Sequence, residues 1–291
     1  GQLPLTLAGL GRTLEARHAL AGDLPEIPDL AYLEAWTFAR DTFRDRTFNG
    51  QDWEAWRTRY DGRLATPLDA HRAIAAMLDS LGDPYTRLRD PEETTAVFLT
   101  RHGGGAEVDR TGRQRPYGRT VVTDTLPGNL GYIQITNFTD PNAVAEIRAA
   151  LEAMREKEGI VLDLRGNPGG LARSADAVTD LLVGPGKEVG VEVTPGGESA
   201  RITAGDGAVT DRPLTVLVDG QTGSAAERLA GSLEAAGRAT LVGDPTHGKG
   251  MFQNTRVLPG GSMVLVSAGE VLGPDGKPIQ GRGLRPRPNN R

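Results

Sequence analysis

The chain has 291 residues, enough to bury a sizeable core in one large or two modest domains. Its net charge of −5 gives no support to nucleic-acid binding, and the absence of cysteine excludes disulfides and thiolate metal sites. With 39 Gly and 19 Pro, and only 38% apolar residues, it calls for the many turns of an α/β or α+β protein and not for a helical bundle. No apolar run reaches transmembrane length. The Leu3 to Leu10 segment is too short and lacks the basic flank of a signal peptide, and a start on Gly1 is expected to be a processed or an artificially cut end, so that a targeting segment could be missing.

The first part of the chain reads as helical. Leu33, Trp36, Ala39 and Phe43 recur at helical spacing and predict a helix from Pro28 to Phe43. Asn49-Gly50 marks a turn, and Asp52 caps a helix holding Trp53, Trp56 and Tyr60. Thr66-Pro67 opens a third, with Ile74, Met77 and Leu81 on one face. The three tryptophans are expected to pack in a core. Gly82 ends that helix and Asp83-Pro84 starts a turn. Around His102 and three glycines, 100–118 reads as a loop or linker, and the histidine as an exposed loop residue. His18 and His71 fall in helical patterns.

Beyond Arg119 strands alternate with helices. VVTDTL and LGYIQIT predict a strand pair around Pro127-Gly128-Asn129. Asp140-Pro141 opens a helix with Val144, Ile147, Leu151 and Met154 on one face, ended by Gly159. The IVLDL run, 160–164, reads as a buried strand, then the RGNPGG turn and a helix from Leu171 to Val183. That order favours parallel strands with helical crossovers. VGVEV and ARIT predict a hairpin around Pro195-Gly196-Gly197. A strand from Leu214 to Val218, a small-residue turn, a helix from Ser224 to Ala236 and a strand from Ala239 to Val242 follow. A Gly-rich turn carries Lys249; two more strands, 251–258 and 262–272, and an Arg/Pro-rich tail close the chain.

Few residues here can do chemistry. GDPTHGKG, 243–250, approaches a phosphate-binding loop but ends in Gly250 where Ser or Thr would hold magnesium, and it precedes a strand, not a helix. Ser224 lies at a strand-to-helix turn, yet Ala226 breaks a G-x-S-x-G elbow, and no S-x-x-K motif is present. His247 has no nearby acid to orient it, so a base for Ser224 would have to be Lys249, on the loop after the next strand. Such a lysine must be held neutral by apolar surroundings, and Gln253, four residues on, could orient its amine. Acyl transfer also needs an oxyanion hole, for which the Ala225 amide and the NPGG glycines are available. Taken alone, the plainer reading makes Ser224 a helix cap, Lys249 a loop charge and NPGG an ordinary turn.

Taken jointly, these pieces resemble the C-terminal processing, or tail-specific, serine proteases. The match runs through LGDPYTRL (81–88), GYIQITNF (131–138), IVLDLRGNPGG (160–170), VLVDGQTGSAAERLAGSLEAAGRATLVG (216–243), HGKGMFQ (247–253) and PDGKPIQGRGLRP (274–286). The resemblance implies an α+β fold: a helical N-terminal region, 1–96, and a β/α catalytic core of crotonase-like type with C-terminal strands, 119–291. It makes Ser224 the nucleophile, Lys249 the general base and Gln253 the residue positioning it. Ala225 and a glycine of the NPGG turn, Gly170 in preference to Gly169, become the oxyanion hole. No metal or cofactor is implied. The expected partners are protein or peptide substrates held near their C-termini, outside the cytoplasm. The segment 97–118 stands where the family usually carries a PDZ domain and is too short for one, so an adaptor or regulatory protein could supply substrates. Gly223, Ala226 and His247 are smaller departures. A ligand-binding relative without catalysis is the second reading, and retention of Ser224, Lys249 and Gln253 speaks against it; a protease-like chain held inactive until a partner docks is the third.

Overall fold

Turn residues and apolar spacing set the element boundaries, and the computed structural model of the chain describes them over residues 27–95, 106–108, 114–116, 120–140, 142–193, 197, 199–205 and 207–286. His18, His102 and its glycines, Pro141, the Pro195-Gly196 turn and the last residues of the tail lie outside these. In chain order the elements are α1 (Pro28–Thr42), α2 (Trp53–Arg57), α3 (Pro67–Asp79), β1 (Arg87–Arg89), β2 (Ala106–Val108), β3 (Gln114–Pro116), β4 (Val121–Leu126), β5 (Leu130–Ile135), α4 (Ala143–Ala153), β6 (Gly159–Asp163), α5 (Ala172–Leu182), β7 (Glu188–Val193), β8 (Ser199–Thr203), β9 (Leu214–Val218), α6 (Ala225–Ala235), β10 (Ala239–Gly243), β11 (Met251–Val257) and β12 (Met263–Leu272). Helices beside mixed sheets make this an α+β protein.

The chain divides into two units. Gly1–Thr100, Thr194–Glu198 and Met251–Gly269 form the first; Arg101–Val193, Ser199–Gly250 and Glu270–Arg291 form the second. The sequence reading grouped all the C-terminal strands with the catalytic core. In the structure β11 and the start of β12 belong with the N-terminal helices, because Leu258, Val264 and Val266 complete the core built there by Trp36, Phe43, Trp53 and Ile74.

In the first unit α3 starts on a reciprocal capping box between Thr66 and Asp69, with Pro67 at the first helical position. Met77, Leu78 and Leu81 are fully buried, and Gly82 ends the turn at φ +62°. Asp52 caps α2 by accepting from the Ala55 N–H, but this helix closes at Arg57, so Tyr60 lies beyond it. Trp36 and Trp53 exchange indole N–H to carbonyl bonds, and Trp56 is only half-buried. On α1 the inward face is Tyr32, Ala35, Trp36 and Ala39; Leu33 remains 38% exposed, since the spacing fits one face as well as its neighbour.

The second unit is built on a five-stranded sheet in the order β10-β9-β6-β5-β4. The β5–β6, β6–β9 and β9–β10 pairs are parallel, and β4–β5 is the antiparallel hairpin expected around Gly128 and Asn129. Ile133, Leu162, Val216 and Leu241 stand side by side in register. They join one apolar cluster with Ile147 and Leu151 of α4, Val178 and Leu182 of α5, and Leu229 and Leu233 of α6. Two boundaries differ from expectation. α4 begins at Ala143, because the Asp140 carboxylate closes a turn on the Asn142 N–H first. Gly159 does not end that helix but starts β6. Short strands β2 and β3 pair antiparallel within the stretch read as a loop.

Candidate active site

Parallel strands end together. The carboxyl ends of β5, β6, β9 and β10 therefore bring four loops to one edge of the sheet, the edge where open α/β sheets hold their ligands. These loops carry residues 136–140, 164–170, 219–224 and 244–250.

Ser224 occupies the tip of the turn after β9, at φ 54° and ψ −119°. That conformation is unfavourable for a residue with a Cβ, costing on the order of 1–3 kcal/mol, and persists only where surroundings impose it. Here they do. Gly223 donates to Asn167 O at 2.9 Å and His247 donates to Thr222 O at 2.9 Å. The Ser224 N–H is taken by Glu227 Oε2 at 2.8 Å. Ala225 follows as the first residue of α6, its N–H at a helix N-terminus.

Glu227 is the residue that joins the two halves of the site. It is fully buried, and its carboxylate accepts four hydrogen bonds. Oε1 takes the Thr246 hydroxyl and the Gly248 N–H, both at 2.6 Å. Oε2 takes the Ser224 and Lys249 N–H groups, both at 2.8 Å. The backbones of Ser224 and Lys249 thus meet on one oxygen atom. The tail locks the same loop: Leu284 donates to Thr246 Oγ1 at 2.7 Å, and Thr246 donates to Leu284 O at 3.0 Å. Sequence reasoning missed Glu227, although Ser224-Ala-Ala-Glu227 is the S-x-x-E signature of a capping box.

The NPGG turn leans against the same corner. Asn167, fully buried, donates to Ile135 O at 3.0 Å and accepts the Gly169 N–H at 2.9 Å. That bond occupies the Gly169 donor and leaves Gly170 as the better candidate of the two. A Cβ placed on Gly169 would come within 2.7 Å of Ser224 Cβ and 2.8 Å of the Ala225 nitrogen, so only glycine fits there. Ahead of the turn, Asp163 accepts from the Tyr132 hydroxyl at 2.7 Å and pairs with Arg165 at 2.7 Å. Burial alone would raise the Asp163 carboxyl, but Arg165 and Tyr132 outweigh it and hold it below the ordinary value. The Tyr132 phenol is pushed up by burial first and by Asp163 second. Asp219 then links the loops after β6 and β9 by accepting the Gly166 N–H at 2.9 Å.

Ser224, Ala225, Gly169, Gly170 and Lys249 therefore fall in one unit and around one corner. Gln253 lies on β11 in the other unit, where its side-chain nitrogen donates to Met251 O at 3.0 Å.

The profile of peptidase family S41 matches residues 129–287, more than half of the chain. The chain belongs to peptidase family S41. It is a serine-type peptidase. A carboxyl-terminal-processing protease of Synechocystis is 28% identical over 87% of this chain and 79% of its own length. The carboxy-terminal processing protease CtpA of Bacillus subtilis is 35% identical over 58% of this chain and 36% of its own. Among solved structures, the photosystem II D1 C-terminal processing protease superposes with a TM-score of 0.71 at 23% identity, over 90% of this chain and 92% of its own. A lipoprotein from Streptococcus agalactiae gives 0.69 at 16% identity over the same shares. At such identities these two speak for the fold alone.

Proposed function

We propose that this S41 peptidase is an ATP-independent endopeptidase that cleaves proteins near their C-termini through a Ser224–Lys249 dyad. The observation that carries the reading is the shared Glu227 carboxylate, which binds the backbone N–H groups of both residues through a single oxygen. Ser224 attacks the scissile carbonyl while Lys249, as the free amine, takes its proton. The proton passes to the departing amine, and an acyl-enzyme remains on Ser224. A water activated by Lys249 then hydrolyses the ester. The developing oxyanion is received by the N–H groups of Ala225 and Gly170, and Gln253 positions the lysine. No metal or cofactor enters. Cleavage near C-termini is brought to this chain from the names of its relatives; a location outside the cytoplasm and substrate delivery by an adaptor rest only on the family resemblance drawn from the sequence. No helix among the described residues is long and apolar enough to cross a membrane.

The test is cleavage of an unstructured protein with an apolar C-terminus by the parent chain, Ser224→Ala and Lys249→Ala. Activity in the parent and none in either variant supports the dyad. Cleavage surviving in Ser224→Ala would sink it.

A further inference from the structure

The segment after β5 reads TNFTD, and its polar residues hold a turn. Asn137 Oδ1 accepts from the Thr139 N–H at 2.9 Å and the Thr139 hydroxyl at 2.6 Å. This is an Asx turn, and it sets the backbone of Phe138, whose side chain is fully buried. The Phe138 backbone forms an isolated parallel bridge with Gly170. Its N–H donates to Gly169 O at 2.9 Å, and its carbonyl accepts from the Leu171 N–H at 3.0 Å.

That bridge fixes a peptide plane. In a trans peptide the C=O and N–H point in opposite directions, and no described peptide bond is cis. With Gly169 O held on Phe138, the Gly170 N–H is turned away from Phe138. The two glycines themselves would permit a flip. Gly169 and Gly170, at φ 101° and 146°, flank the peptide, and glycine tolerates either orientation. The turn itself is wedged between two backbones. A Cβ on Gly170 would strike Phe138 at 2.5 Å, and one on Gly169 would strike Gly223 O and Ser224 Cβ at 2.7 Å.

We propose that Asn137 is a positioning residue for the reaction. Its turn holds the Phe138 N–H on Gly169 O, and that bond keeps the Gly169–Gly170 peptide in the orientation that offers the Gly170 N–H to the oxyanion. The inference rests on the assignment of Gly170 as an oxyanion donor in the proposed function.

The experiment compares the full chain with Asn137→Ala, Asn137→Ser, Thr139→Val and Ser224→Ala. Steady-state cleavage of the apolar-tailed substrate is measured beside the affinity for a peptide aldehyde and its alcohol. Loss of a whole oxyanion donor lowers kcat by about 10²–10³; a loosened donor is expected to lower it about tenfold to hundredfold in Asn137→Ala, with KM little changed. Aldehyde affinity falls by a similar factor, because its adduct carries an oxyanion, while the alcohol binds as before. Asn137→Ser, whose hydroxyl can rebuild the turn more weakly, recovers part of the loss. Thr139→Val removes one of the two donors to Asn137 and shows the same pattern at smaller size, which keeps the test open if Asn137→Ala folds poorly. A purely structural role would lower thermal stability while leaving kcat per folded molecule and the aldehyde-to-alcohol ratio unchanged, and that result overturns the proposal. An inactive Ser224→Ala beside an unimpaired Asn137→Ala defeats the positioning role alone; an active Ser224→Ala defeats the dyad and this inference with it.

Discussion

The N-terminal helices and the loops at the edge of the parallel sheet are held by opposite means. The first unit fills its centre with bulk: Trp36, Phe43, Trp53, Ile74, Met77 and Leu78 are all buried, and only a few side-chain hydrogen bonds reach among them. The corner around Ser224 contains little bulk. Glycines at 169 and 170 bring backbones together, and the buried polar side chains of Asn167, Glu227 and Thr246 tie them. Apolar packing fixes volume and tolerates small shifts, whereas hydrogen bonds fix individual atoms in direction and distance. Chemistry that needs two N–H groups and a hydroxyl at fixed points uses the second means.

Four substitutions can break or sharpen this contrast. The largest effect is expected from Glu227→Ala, which strands three backbone N–H groups and the Thr246 hydroxyl without their acceptor. Each such loss costs about 1–3 kcal/mol, so denaturant unfolding should show at least about 3 kcal/mol lost, together with abolished cleavage. Ile74→Ala empties part of the first core and should cost about 2–5 kcal/mol. Its turnover per folded molecule should match the parent, and a large fall in kcat would break the contrast.

The third effect is a pH dependence. Because the Asp163 carboxyl is held below its ordinary value in the folded chain, its stabilisation is complete above the unfolded value, about 3.9. It is lost as pH falls through the lower folded value. Acid titration of thermal stability should therefore drop more steeply below about pH 4 for the parent than for Asp163→Asn. The smallest effect belongs to Thr66→Ala, which removes one side of a helix cap and should lower stability by about 1 kcal/mol without changing turnover.

Local signals were legible where local physics decides. Thr66-Pro67, Pro127-Gly128-Asn129, and the strand from Leu214 to Val218 stand where periodicity and turn chemistry put them. So does the serine turn itself, with the family resemblance borne out by the S41 match. Boundaries slipped where two local signals competed: Asp140 makes an Asx turn before α4 begins, and Gly159 enters a strand. The role of Glu227 was hidden for a different reason. Helical spacing reports which face is apolar, but not that one acidic side chain on it reaches a loop some twenty residues further along the chain. The two-unit division was hidden similarly, since nothing local in MFQNTRV says which core its strand completes.

The first unit is assembled from separated stretches of chain, and this bears on the order of synthesis. A growing chain presents its N-terminal helices long before Leu258, Val264 and Val266 leave the ribosome. Until then one side of the tryptophan cluster has no strand to lie against. Those helices must wait, exposed to chaperones and proteases, until β11 and the first part of β12 have been made, and termination before Met251 leaves them without these strands.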